Sequence, residues 1–509
     1  MRTIISIVLI LMLLSSASVR TAGARTADTS SVPYLSERIF LDAQYSYVYG
    51  TSPAMLSWWD YPVYSEIGVT MDYGEGRLHH PQTYDKLLMG QIHTRSKVRL
   101  EKTGWTFSGS FIYENGNADS VRSNLSYHLR DNGTPSFYFC RQPGARWNLQ
   151  KYGLEAAAAK KLGERWSLGV SAAYTGDMAF RKSDVRNAQT TLTIDLKVSA
   201  SFKINRNHTV SAGAAYKRIK EKPGFSIIYS TGPEYTIYLM NGAGTYLSEL
   251  QSNMVWQENT PGAFVQWMQN NDENILSVSY SFNAGENGWY SKGIQAASRQ
   301  ELWASYGYMT HGITFSESAF FGNSSLHFRG SAEMTSGNGE TWNRTSSVFI
   351  KNYSYAGVNA EASLEWRPGI KVLESVRAGT GYINERRNDR SYNYLLGYSL
   401  MDFHLGFRTG FHIGKVYSGI FAEGRYRHSL SLNHHPGAAD NSVNLYTVYI
   451  GTPLGKWLGQ DTAGISAGTD FDIPAGRSII STGGKYRLDL SPGSNEKFHT
   501  AQLFINILF

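Results

Sequence analysis

Residues 191–203 read TLTIDLKVSASFK, and the fold can be worked out from this one line. The even positions (Leu192, Ile194, Leu196, Val198, Ala200, Phe202) are apolar, and the odd ones (Thr191, Thr193, Asp195, Lys197, Ser199, Ser201, Lys203) are polar or charged. Successive side chains of a strand point to opposite faces, so strict alternation over this length is a β-strand with one greasy face and one wet face. The same period recurs at residues 166–174, 210–216, 276–282, 326–334, 360–366 and 403–408. No segment of comparable length carries a convincing helical period.

Alternation alone fits a soluble sandwich as well as a membrane barrel. Sandwich strands average about 5–6 residues, whereas membrane-spanning strands need about 9–11, and several of these runs reach the longer figure. The connections are also sorted by length. Tight polar turns are expected at 102–104, 162–164, 205–207, 367–369 and 414–415, and long stretches at 50–90, 114–147, 220–260 and 474–496. Short turns on one side and long loops on the other are the plan of an outer-membrane barrel. Trp105 and Trp166 follow tight turns and Trp366 precedes one, as an interfacial aromatic girdle requires.

Composition agrees once the alternation is seen. With 41% hydrophobic residues and a mean hydropathy of −0.33, the chain resembles a soluble protein. Its charged residues, at 17%, fall below the usual share of roughly 25%, and aromatics reach 13%. The single cysteine, Cys140, excludes a disulfide scaffold, and the aromatic content excludes a disordered tail. The one long apolar run, residues 4–14, is shorter than the roughly 18 residues a membrane helix requires. It reads instead as an export signal, with Arg2 before it and Ala22-Gly23-Ala24 as the cleavage site, residues 16–18 competing. The expected organisation is a signal peptide over 1–24, a short periplasmic segment over 25–38, and a single barrel over 39–509. Cleavage after Ala24 would remove Arg2 and Arg20 and lower the net charge from +7 to +5, too mild an excess to argue for nucleic acid.

At the other end, Ala501, Leu503, Ile505, Ile507 and Phe509 share one face of a strand that finishes at the carboxylate on an aromatic residue. This resembles the C-terminal signal of bacterial outer-membrane proteins that the barrel-assembly machinery recognises. As a whole the chain resembles a Bacteroidota-type outer-membrane barrel family of unknown function. The resemblance implies residence in the outer membrane of a Gram-negative cell, contact with its lipid, and assembly through the last strand. It implies no substrate.

Both termini of such a barrel normally lie in the periplasm, which demands an even strand number. Strand centres near 44, 96, 109, 154, 170, 196, 213, 315, 330, 360, 376, 407, 421, 447, 467 and 503 make sixteen, and a further hairpin over 264–269 and 276–282 would make eighteen. The expectation is therefore an all-β, antiparallel, up-and-down transmembrane barrel of about 16 strands (16–18). Charges on the non-lipid face should point inward: Arg95, Lys97, Arg99, Arg329, Arg408 and Arg425 against Glu101, Glu333, Glu361, Glu365 and Glu423. They fit a solute pathway mildly biased to anions, or a structural network of paired charges.

Other chemistries are weaker. Residues 464–468 match G-x-S-x-G, but the pattern continues as a strand where a nucleophile elbow needs a turn into a helix; no enzyme is expected. His-His-Pro occurs twice, at His79-His80 and His434-His435, in predicted surface loops with Asp72, Glu75 and Asp440 nearby. Imidazole with carboxylate suits zinc, copper or iron, yet the spacing is not that of a metal site, and no cofactor is expected. About a dozen residues between Ala24 and a first strand near Ile39 leave no room for an N-terminal plug. What remains is a passive or loop-gated channel for small polar solutes, anionic ones included, or a plugged barrel whose long loops recognise a ligand, a metal or a partner protein.

Overall fold

In a computed structural model, residues 50–58, 65–126, 133–141, 144–228, 232–242, 245–247, 254–271, 273–292, 300–343, 346–370, 373–436, 446–476 and 478–508 are described. Eighteen antiparallel strands form one closed ring. The first six are β1 (Ser65–Gly76), β2 (Lys86–Leu100), β3 (Trp105–Val121), β4 (Ala145–Leu162), β5 (Trp166–Arg181) and β6 (Arg186–Lys203). They are followed by β7 (His208–Lys222), β8 (Met254–Asn270), β9 (Asn274–Lys292), β10 (Gln300–Phe321), β11 (Ser324–Asn343) and β12 (Val348–Arg367). The last six are β13 (Leu373–Asp389), β14 (Tyr394–Ile413), β15 (Val416–Pro436), β16 (Thr462–Ala475), β17 (Ser478–Leu490) and β18 (Lys497–Leu508). Neighbours in sequence are neighbours in space, and the ring closes where β1 pairs with β18, with Ile67 opposite Ile507 and Met71 opposite Leu503.

The count is thus the upper of the two expected, by a different route. The hairpin of β8 and β9 is present, and β1 and β17 are additional strands. The strand expected near 447 is helical: a π-turn, Thr447–Gly451, runs into helix α1, Thr452–Leu458. Its sequence is rich in β-formers, but Tyr446, Ile450, Leu454 and Leu458 recur every fourth residue and are all buried, so tertiary packing selects the helix. The long connection expected over 474–496 is mostly β17, whose alternation is hidden by Gly483-Gly484. The first described barrel strand starts at Ser65, not near residue 39; the strand centred near 44, the signal segment and Phe509 lie outside the described residues.

All eight connections at one end are tight, from residues 414–415 to 368–372, and six of them carry a glycine at positive φ (Gly104, Gly163, Gly322, Gly369, Gly414, Gly476). The opposite end carries the long connections between β3 and β4, β7 and β8, and β15 and β16. The alternating apolar positions form the outer wall: Leu405 and Leu503 are each 63% exposed, and Val69, Leu154, Val198, Val265 and Ile465 project likewise. Trp166 and Trp366 are exposed on this wall at the tight-turn end. Among the described residues no helix is long and apolar enough to cross a membrane.

A lumen closed at both ends

The inner wall near the tight turns is built from small hydroxyl side chains. Ser167 of β5, Ser199 and Ser201 of β6, and Ser211 of β7 are all buried, and they leave room for a second layer of chain. Residues 50–58 fill that room, with Pro53–Trp58 wound into one 3-10 segment whose every residue is buried. Ser52 shares a 2.5 Å hydrogen bond with Ser211 and donates to Ser199 at 3.0 Å, and the Ala54 amide donates to Ser199 at 2.9 Å. Ser57 donates to Ser167 at 2.7 Å, the Trp58 indole to Ser201 at 2.8 Å, and Arg99 reaches the Ser57 carbonyl at 3.1 Å. Lys161 and Lys203 lie over the Trp58 ring at 4.8 and 5.5 Å. The backbone approaches so closely that a Cβ on Gly169 would lie 2.2 Å from the Ala54 nitrogen. This inserted segment corrects the expectation that no room exists for N-terminal chain inside the barrel. The ring starts later than expected, and residues 50–58 lie inside it rather than in its wall.

The other end is closed by a small antiparallel sheet folded inward from the long connections. Ser136–Cys140 pairs with Ile237–Asn241, which pairs with Thr245–Leu247. Its two faces seat against opposite walls. Tyr138, Cys140, Ile237 and Leu239 pack with Trp256, Trp289 and Trp303 of β8–β10. Phe139, Tyr238 and Met240 pack with Tyr394, Leu396 and Tyr398 of β14 and with α1. Cys140 is therefore a buried packing residue of this sheet.

Beside the inserted segment, and lined by its Gly50 and Thr51, lies a polar chamber of about 680 Å³ that carries Glu155, Asp195, Lys197, Lys217 and Glu333. A cavity of about 400 Å³ adjoins it across Glu155 and carries Arg95 and Lys97. Four bases (Arg95, Lys97, Lys197, Lys217) and three acids (Glu155, Asp195, Glu333) line the two cavities, a near balance.

The inward-pointing charges largely meet partners. Arg95 bonds Glu66 at 2.9 Å, Arg329 faces Glu365 at 3.6 Å, and Arg425 bonds Asp402 at 2.9 Å. Arg408 bonds Glu374 at 2.7 Å and takes both oxygens of the buried Asp470 at 2.6 and 2.7 Å. Lys97 is buried on the inner wall, Glu361 accepts from Ser331 at 3.2 Å, Glu423 stands on the same face as Arg425, and Glu333 lines the chamber. The side chain of Glu101 lies outside the described residues. The partners Glu66, Glu374, Asp402 and Asp470 come from strands whose register must be known before the pairing can be read.

The two His-His-Pro motifs come to the same helix. His80 packs edge-on against Trp457 of α1, with ring centres 5.3 Å apart. His434 stands close enough to α1 that a Cβ on Gly455 would come within 3.0 Å of its Nδ1. His79 bonds Asp85 at 2.9 Å, and His435 pairs in register with Leu395. Among the described residues no three His, Cys, Asp or Glu side chains are grouped as metal ligands. Burial, with the nearby Arg387 and His79, lowers His80 from its ordinary 6.5 to about 3. Docking of this loop therefore favours the neutral ring: its contribution is complete above about pH 6.5 and is lost as pH falls toward 3. Protection of residues 77–85 against hydrogen exchange, relative to the intrinsic exchange rate at each pH, is expected to be lower at pH 5 than at pH 7 in the wild type, and the difference to shrink in His80→Gln.

Ser466 of the G-x-S-x-G stretch sits within β16, opposite Glu423 on one side and Arg487 on the other, with no strand-to-helix turn. A family model described as a family of unknown function, DUF6850, matches residues 53–509, from the inserted segment to the last strand. The chain belongs to the DUF6850 family. No curated protein matches this DUF6850 member in sequence. Similar solved structures include BauA, the ferric preacinetobactin receptor of Acinetobacter baumannii, at 7% identity over 88% of this chain and 80% of that one, TM-score 0.44. Others are the outer membrane transporter YddB of Escherichia coli (8%, 88% and 80%, TM-score 0.40) and OpdK of Pseudomonas aeruginosa, solved with vanillate (9%, 88% and 98%, TM-score 0.34).

Proposed function

We propose that this DUF6850 protein is a non-enzymatic outer-membrane barrel that passes small polar solutes through a gated lumen, shut in the resting state. The observation that carries the reading is the polar chamber of about 680 Å³, lined by Gly50 and Thr51 of the inserted segment and by charged side chains of the barrel wall, in a barrel whose long-loop end also holds the inward-folded sheet. A purely structural core of this size would be filled with side chains, whereas this one keeps polar groups facing open space. The apolar outer wall on every side of the ring supports insertion in lipid, because exposed apolar surface on this scale is not tolerated in water. Export by residues 1–24, the Bacteroidota-type affiliation and assembly through Leu503, Ile505, Ile507 and Phe509 complete the reading. Leu503 and Ile505 do project from the outer wall of the closing strand.

Because both ends are occupied, a gated pathway is favoured over a passive one. Proteoliposomes holding the full chain should take up neutral and charged small solutes far more slowly than those holding an open porin. Uptake at the rate of an open porin would contradict the gated reading. Carbonate extraction and an unboiled denaturing gel test the location: the protein should stay in the membrane fraction and migrate differently when boiled.

A further inference from the structure

A second cavity, separate from the chamber, sits under α1 at the long-loop end. It encloses about 230 Å³, just under the roughly 300–1,000 Å³ of ligand pockets. Its walls come from three connections on that face, through His80, Phe137, Tyr446 and Trp457, and from the upper ends of β12–β14. Two features define its chemistry. The walls are aromatic: Tyr353, Tyr394, Tyr398 and Tyr446 surround it with Phe137 and Trp457. Its charged floor is one ion pair, in which Glu385 accepts from Arg387 Nε at 3.2 Å and from Nη2 at 2.7 Å, with Gln82, Thr134 and Ser136 as further polar lining.

We infer that this pocket binds one ring of a neutral carbohydrate, stacked on the aromatic wall and hydrogen-bonded through adjacent hydroxyls to Glu385 and Arg387. The charge of the site makes the choice. Glu385 cancels Arg387, and His80 is neutral above pH 6.5, so an anionic ligand gains no net attraction and must approach a carboxylate. A purely apolar ring would strip water from the ion pair without replacing its hydrogen bonds, which is unfavourable. A sugar avoids both penalties. Its C–H face suits an aromatic wall, and neighbouring hydroxyls donate to a carboxylate while accepting from a guanidinium. Glu385 takes two of the five N–H donors of Arg387, which leaves donors for such a ligand. The size admits a single ring, so a terminal residue of a longer glycan fits, with the remainder outside. The inference does not depend on transport, since a non-conducting barrel would keep the site.

The test is a printed array of neutral, sialylated, sulfated and uronate-containing oligosaccharides probed with the purified full chain, followed by calorimetry with any glycan that binds. Binding is expected among the neutral glycans, competed by the free methyl glycoside of the terminal sugar. Glu385→Gln should weaken it at least tenfold and, by releasing the Arg387 charge, move residual binding toward acidic glycans. An unchanged heat-dependent gel shift shows that this isosteric variant is folded. Binding to acidic glycans alone, binding indifferent to Glu385→Gln, or no binding to any neutral glycan would each overturn the inference.

Discussion

Gly169→Leu should convert a silent barrel into a conducting one. Gly169 faces the inserted segment, and a single Cβ there would lie 2.2 Å from the Ala54 nitrogen and 2.4 Å from the Pro53 carbonyl carbon. These are backbone atoms that cannot turn aside as a side chain can, and a leucine adds three more carbons. The segment is held by bonds to neutral hydroxyls, each worth about 0.5–1.5 kcal/mol net, by Arg99 on the Ser57 carbonyl, and by burial of Met55, Leu56 and Trp58. A leucine at 169 overlaps the Pro53 and Ala54 backbone and forces that part of the segment off β5, while the pairing of β5 with β4 and β6 is untouched. In planar bilayers the wild type should give rare, brief openings and Gly169→Leu frequent long ones, at least tenfold greater in mean current. Gly169→Ala, a smaller intrusion, should fall between. Equal currents in all three would mean that residues 50–58 do not obstruct the path.

The second large effect concerns stability. Arg408 stands between Glu374 and Asp470, and Asp470 is 1% exposed. Arg408→Ala would leave that carboxylate buried without its partner, and breaking a buried pair from one side costs about 3–5 kcal/mol. A triple variant, Arg408→Met with Glu374→Gln and Asp470→Asn, removes all the charge and should recover most of the loss. The readout is the urea concentration at which the barrel loses its heat-dependent gel shift in detergent. A single variant as resistant as wild type would show that the Arg408 group does not hold β13, β14 and β16 together.

Much of this was legible from residues such as 191–203, because period two over a long run fixes both the element and its faces. Fourteen of the sixteen strand centres fall on strands of the ring and the further hairpin adds two, and the tight-turn end is legible as well, because glycines and polar residues mark it. The strand near 447 was misread because β-propensity was weighed above the four-residue spacing of Tyr446, Ile450, Leu454 and Leu458. The inserted segment had no period to read: PAMLSW is short, and its place depends on serines contributed by three separate strands. A signal was nonetheless present, since Ser167, Ser199, Ser201 and Ser211 fall at inward positions of adjoining strands, where small side chains make room for something else. The Glu385–Arg387 pocket was not read at all, because its walls come from connections far apart in sequence that only the closed ring brings together.

The position of residues 50–58 is the point on which the gated barrel stands or falls, and a disulfide tests it most directly. The hydroxyl oxygens of Ser52 and Ser211 are 2.5 Å apart, so Ser52→Cys with Ser211→Cys places two thiols within bonding reach. Under mild oxidation the pair is expected to close almost completely in the folded barrel and to hold it silent at every voltage, with openings appearing after reduction. Failure of the disulfide to form, or the same current before and after reduction, would contradict the closed lumen described here.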